Sequence, residues 1–171
     1  ECLVLPNVKI KDRAGNPSEE GRELLRRIIA SRIADDLIEA PVLDSLVEIS
    51  GGHLRTLVAL LRNASVNAAA RKSAKIEMQD IQRASGRLLG DFVAELKSAH
   101  YPILKARLDD KELSSDVEIQ ELLNRLVLLE YVNLDRWCDV HPILIGEVVE
   151  RTTGDRLVEP ASQLAPQPAN V

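Results

Sequence analysis

Ser50-Gly51-Gly52-His53-Leu54-Arg55-Thr56-Leu57 places a cation just behind a pair of glycines and inside the first turn of an apolar stretch. A helix N-terminus carries free backbone N–H groups and partial positive charge, so it favours anions and disfavours an arginine. The unfavourable dipole contribution is only about 0.3–1 kcal/mol. A charge-assisted hydrogen bond to a phosphate is worth roughly 1.5–3 kcal/mol, enough to outweigh it. The planar guanidinium of Arg55 is suited to two phosphate oxygens at once. Gly51, Gly52, His53 and Arg55 are therefore the candidate anion-sensing residues. The bland alternatives are a surface arginine and a histidine that simply caps its helix.

Other residues that could do chemistry have duller readings. Asp109, Asp110 and Asp116 make an acidic cluster without the glycine and terminal glutamate of a calcium loop, and they read as a solvated turn. Arg26, Arg27 and Arg32 stud one helix face, which reads as a solvated face. Cys2 and Cys138 form no CxxC pair and no metal-spaced set with His53, His100 and His141, so two free thiols are expected and no metal site is assigned. No Ser–His–Asp or Cys–His arrangement stands out. Tyr131 and Trp137 are half of the four aromatic residues. Packing against Leu126 and Leu129 is the expectation for both rings, and a partner-binding face is the alternative.

The elements that position these residues follow from periodicity and punctuation. Residues 2–10 (CLVLPNVKI) are β-prone and read as a strand. Asn16-Pro17 followed by acids reads as a helix entry, and apolar residues at Leu24, Leu25, Ile28, Ile29, Ile33 and Leu37 predict a helix over 17–38. Pro41 opens a second helix whose face holds Leu43, Leu46, Val47 and Ser50, and Gly51-Gly52 ends it. A third helix over 53–70 and a fourth over 78–97 follow. Beyond these come a short helix (HYPILKARL) and an amphipathic helix over 117–132, capped by Ser115 or Asp116. A hairpin follows, YVNL and WCDV turning at Asp135-Arg136, with His141-Pro142 at its exit. The stretch IGEVVERTTG returns as a helix. Residues from Leu157 on, with three prolines, read as a flexible tail.

The run LDSLVEISGGHLRTLVALLRNASVNAA, with the later IEMQDIQRAS, resembles the helical lid of AAA+ and related STAND P-loop ATPases. Its Ser50-Gly51-Gly52 turn stands where such lids turn, Arg55 stands as the sensor-2 arginine, and Ile76 with Asp80 marks the last lid helix. Leu54 replaces the small residue or proline usual before that arginine. Residues 98–152, by element order, resemble a winged helix. The resemblance implies a mainly α fold: a four-helix AAA+-type lid bundle followed by a winged-helix-like module with a small β-hairpin. Its divisions are residues 1–15 as an exit strand and loop from an absent ATPase core, 16–97 as the lid, 98–152 as the winged module and 153–171 as the tail.

The resemblance further implies that Arg55 reports ATP against ADP, that ATP and magnesium belong to the parent protein, and that the chain by itself is no enzyme. No GxxxxGK[ST] phosphate loop occurs in the 171 residues, and the first residue is glutamate rather than methionine, which reads as a piece of a longer protein. The partners implied are the N-terminal P-loop core and a further protein or a second copy. A free-standing helical adaptor or winged-helix transcription regulator is the alternative. Duplex DNA is a disfavoured partner. Residues 98–150 hold 5 basic and 11 acidic side chains, net −6, against 15 and 14, net +1, over residues 1–97. The candidate recognition stretch 116–132 sets Arg125 against Asp116, Glu118, Glu121 and Glu130. No apolar run is long enough to span a bilayer and no signal peptide is visible, so a cytoplasmic protein is expected.

Overall fold

The structure, a computed structural model, describes residues 7–132 and 135–154. It is mainly helical with one small antiparallel hairpin. The elements are α1 (Glu19–Ala30), α2 (Ala40–Ser50), α3 (Leu54–Ala70), α4 (Met78–Glu95), α5 (His100–Asp110), α6 (Val117–Asn124), β1 (Leu128–Val132), β2 (Arg136–Val140) and α7 (Ile145–Gly154). Single 3-10 turns lie at Asp35–Leu37 and Pro142–Leu144. No described helix is long and apolar enough to cross a membrane.

Two apolar cores share one helix. Leu25 and Ile29 of α1, Leu46 and Val47 of α2, Leu57, Leu60 and Ala64 of α3, and Ile81 and Ala84 of α4 close the first. The second begins on the later turns of the same α4, at Phe92. It gathers Leu104, Ile119, Leu122, Val127, Leu128, Val140, Leu144 and Val148 from the elements that follow. Ile10 is rooted in the first core, 1% exposed, so the entering segment is part of that packing. A residue left outside such a core would leave a void its neighbours could not fill.

The predicted strand over residues 2–10 is not formed in its described part. Asn7–Ile10 pairs with no strand, and Val8 N–H instead donates to the Gly52 carbonyl at 3.0 Å. Glu1–Pro6 lie outside the described residues, as does the predicted tail from Leu157. The first helix starts after Ser18 rather than at Pro17 and stops at Ala30, eight residues short of the expectation. Its periodicity continues, but Ile38 is drawn out into an extended bridge with Ile76, and Ile76 N–H donates to Leu37 O at 2.8 Å. That bridge buries both isoleucines against the first core, which a continuous helix could not do.

The predicted helix over 117–132 is likewise cut at Asn124. Val127 N–H donates to Leu122 O and Leu126 N–H to Leu123 O, each at 3.0 Å, which closes the helix with a Schellman motif. Its left-handed residue is Leu126, φ +59°, where glycine would be usual. The cost of a left-handed non-glycine, about 1–2 kcal/mol, is offset by turning Val127, Leu128, Leu129 and Tyr131 into buried positions, each at most 1% exposed. The hairpin forms with Leu128 opposite Val140 and Val132 opposite Arg136. Arg136 is therefore a strand residue paired with Val132, and not part of the expected turn at Asp135-Arg136.

Candidate functional site

The two glycines do what the sequence predicts for the backbone. Gly51 (φ +62°) caps α2 and Gly52 (φ +80°) continues the turn, both in the left-handed region. Their buried position is set by close approach. A Cβ on Gly52 would lie 1.8 Å from Val8 O, and one on Gly51 would lie 2.4 Å from Leu129 Cδ1. Every polar group of the pair is used. Gly51 N–H donates to Glu48 O, and Gly51 O accepts from the Tyr131 hydroxyl at 2.5 Å. Gly52 N–H donates to Ser50 Oγ, and Gly52 O accepts from Val8. The glycines thus fix the turn and have no donor left for a ligand.

His53 is the N-cap of α3. Its Nδ1 accepts from Thr56 N–H at 3.3 Å and faces the Thr56 hydroxyl at 2.7 Å. Partial burial, with the nearby charge of Arg55 second, lowers its pKa and keeps Nδ1 free to accept. Of the four sequence-predicted sensing residues, Arg55 alone offers an uncommitted head. It is exposed in the first turn of α3 and has no hydrogen bond or ion pair with any described residue. The N–H groups of Leu54 and Arg55 also have no partner among the described residues. One turn therefore combines two free backbone donors with a full positive charge, which is the equipment for holding an oxyanion.

The face around Arg55 is unusual in composition. Helix α3 contains no aspartate or glutamate. Its outward residues include Leu54, Val58 and Val66, which are 42%, 37% and 61% exposed, interleaved with Arg55 and Arg62. No acid on that helix competes for either arginine.

Tyr131 and Trp137 do not form a surface patch. They are 1% and 2% exposed and stack on each other with centroids 4.4 Å apart. They pack with Leu129 and Leu126, so a partner meeting the described surface would not touch these rings. They join the hairpin to the Gly51 turn through the Tyr131 hydroxyl, a contact spanning 80 residues of chain.

Cys138 is buried, its thiol donating to Glu112 O at 3.1 Å and pushed up to about 11 by burial, which makes it a poor nucleophile. Asp109 and Asp110 pair with Lys105 and Arg107, and Asp116 accepts from Ser114. No group of three metal-ligating side chains occurs among the described residues. Arg26 is held by Glu19, Glu23 and Asp44. A groove of about 430 Å³ between α2, α4 and the Pro142–Leu144 turn is lined mainly by apolar groups. Its charges, Lys11 and Glu48, already pair with Asp139 and Arg22, and it does not include Arg55.

Sequence reasoning missed one buried ion pair at the other end of α3, where Arg71 caps the helix. Asp80 is fully buried and accepts from Arg71 Nε at 2.9 Å and Arg71 Nη2 at 2.7 Å. It also accepts from Glu77 N–H at 3.0 Å, where it stands at the third position of α4. The hydrogen bonds from Arg71 hold its pKa below the usual carboxylate value of 3.8. The acid-x-x-acid entry Glu77–Asp80 was a readable signal for a helix cap. The partner Arg71, nine residues back across a turn, was not.

Comparison with family models, with curated proteins and with solved structures finds no match.

Proposed function

We propose that this chain is the nucleotide-sensing lid and winged-helix-like module of an AAA+ or STAND-type P-loop ATPase, and that Arg55 is its sensor. The supporting observation is the uncommitted Arg55 guanidinium on the first turn of α3, behind a glycine turn whose own polar groups are all occupied. ATP and magnesium would be held by an upstream core that carries the phosphate loop, since this sequence has none. This chain's part is to present a cation and two backbone donors to the terminal phosphate, and to convert that contact into the position of the lid. The acid-free face of α3 suits the edge of that core.

The module after α4 serves better for docking to protein than to DNA. Arg125, the cation of the candidate recognition helix, is already taken by Glu121 at 2.7 Å and Glu95 at 3.6 Å. Asp116, Val117 and Glu118 stand exposed at the start of that helix. A random duplex in low salt should show no gel shift below micromolar protein, and a tight shift would favour the regulator reading.

The deciding experiment uses the full-length polypeptide. Arg55→Ala should lower ATP turnover at least tenfold, or abolish discrimination of ATP from ADP, while Arg62→Ala on the same face stays within twofold. Unchanged turnover and discrimination in Arg55→Ala would overturn the assignment.

A further inference from the structure

The entering segment, residues 7–13, grips the hairpin at two points and the end of α5 at a third, although it is rooted in the other core. Asn7 Nδ2 donates to Glu130 O at 2.9 Å on β1. Lys11 Nζ lies 2.7 Å from Asp139 Oδ2 on β2. Arg13 Nη2 donates to Asp110 O, and Lys111 Nζ donates back to Arg13 O, each at 2.9 Å.

The Asp139 carboxylate is the centre of this grip. Its side chain is 3% exposed. Oδ1 accepts from Val140 N–H at 2.9 Å, but Oδ2 has no well-directed hydrogen bond and is compensated by the charge of Lys11 and, at 3.5 Å, of Lys111. A buried carboxylate that loses its counter-charge is strongly unfavourable, so it leaves for water if it can. Lys111 cannot replace Lys11 fully, because its ammonium is also bonded to Arg13 O and sits 5.7 Å over the Trp137 ring. Trp137 is two residues from Asp139 on the same strand, is buried, and stacks on Tyr131, whose hydroxyl reaches the Gly51 carbonyl.

We propose that Lys11 and Asp139 form a latch that keeps the Tyr131–Trp137 pair covered, and that withdrawing Lys11 opens the hairpin from the Gly51 turn while the α1–α4 bundle stays folded. Ile10 stays rooted in the bundle, so the backbone at residue 10 holds still and the latch opens by withdrawal of the Lys11 side chain alone. The Lys11–Asp139 pair is thereby coupled to exposure of an aromatic pair of the kind that anchors protein partners. The coupling runs through residues 7–13 and does not depend on Arg55 or on a nucleotide.

Trp137 is the single tryptophan of the sequence, so its emission reports the latch directly. In this chain, Lys11→Met should raise the acrylamide quenching constant of Trp137 at least threefold and shift its emission to the red, with the far-ultraviolet circular dichroism unchanged. Lys11→Arg should match the parent. Lys11→Met with Asp139→Asn, which removes the stranded charge, should return quenching to within about half of the parent difference. The milder Asn7→Ala should raise quenching by a smaller factor. Quenching in Lys11→Met equal to the parent, or no rescue in the double variant, overturns the proposal. So does loss of the helical signal together with Trp137 exposure in both Lys11→Met and Asn7→Ala, since the grip would then hold the whole fold rather than the hairpin.

Discussion

The same substitution should have opposite signs at two glycines. At Gly52, alanine meets a left-handed backbone (φ +80°) and a Cβ position 1.8 Å from the Val8 carbonyl oxygen. The obstacle is backbone, so no rotamer change relieves it. The left-handed conformation costs about 1–2 kcal/mol. Moving residues 7–10 aside adds roughly 1–3 kcal/mol of overpacking. It also endangers the Val8 N–H to Gly52 O hydrogen bond, worth about 0.5–1.5 kcal/mol. These costs overlap, and a total near 3–5 kcal/mol is a large share of the roughly 5–15 kcal/mol that holds a domain together. At Gly86, in the interior of α4, nothing lies within 4 Å of the added carbon and φ is ordinary. Alanine there should stabilise by about 0.5–1 kcal/mol through helix propensity and a less flexible unfolded chain. In urea titrations Gly52→Ala should lower the midpoint steeply and Gly86→Ala should raise it slightly, at unchanged slope. By thermal unfolding, with about 2–4 °C per kcal/mol at this size, Gly52→Ala should melt about 10 °C lower. A Gly52→Ala protein within about 1 kcal/mol of the parent would refute the claim that close approach of Val8 requires this glycine.

Two further predictions concern pH. Asp80 has a folded pKa below its usual value, chiefly through Arg71, so its contribution is present above pH 3.8 and is lost as pH falls through the lowered value. Asp80→Asn should therefore flatten the acid limb of a urea-midpoint profile, and an unchanged limb would count against the Arg71 pairing. His141 is fully buried, and burial drives its pKa down to about 3 from 6.5. Its unfolded form gains a proton that the folded form refuses, so stability should fall between pH 6.5 and 3 by up to about 1.4 kcal/mol per unit. In proton NMR the His141 ring should remain neutral at pH 5, and titration near 6.5 in the folded state would remove its buried, neutral role.

What local chemistry governs was legible in the residues alone. Gly51-Gly52 ends α2 because only glycine takes consecutive positive φ without cost, and Pro41 sits in the first turn of α2 because its missing N–H is no loss there. The apolar spacing of α2, α3 and α4 places them within a residue or two. The position of Arg55 on an N-terminal turn followed from the same punctuation. What failed was every place where distant residues compete with periodicity. Ile38 abandons a helical repeat for Ile76, and Leu126 takes a left-handed φ with no glycine to announce it, because burying the strand behind it outweighs the local cost.

The partners of the site are tertiary in the same sense. Tyr131 reaches Gly51, Asn7 reaches Glu130, and Lys11 reaches the buried Asp139 across separations that no sequence window spans. Short-range conformational preferences and apolar spacing chose the helices and the glycine turn. The folded chain alone decided that this turn is sealed from below by its own hairpin and entering segment, leaving Arg55 facing outward, because hydrogen bonds and buried charges are settled by which groups end up within a few ångströms of each other.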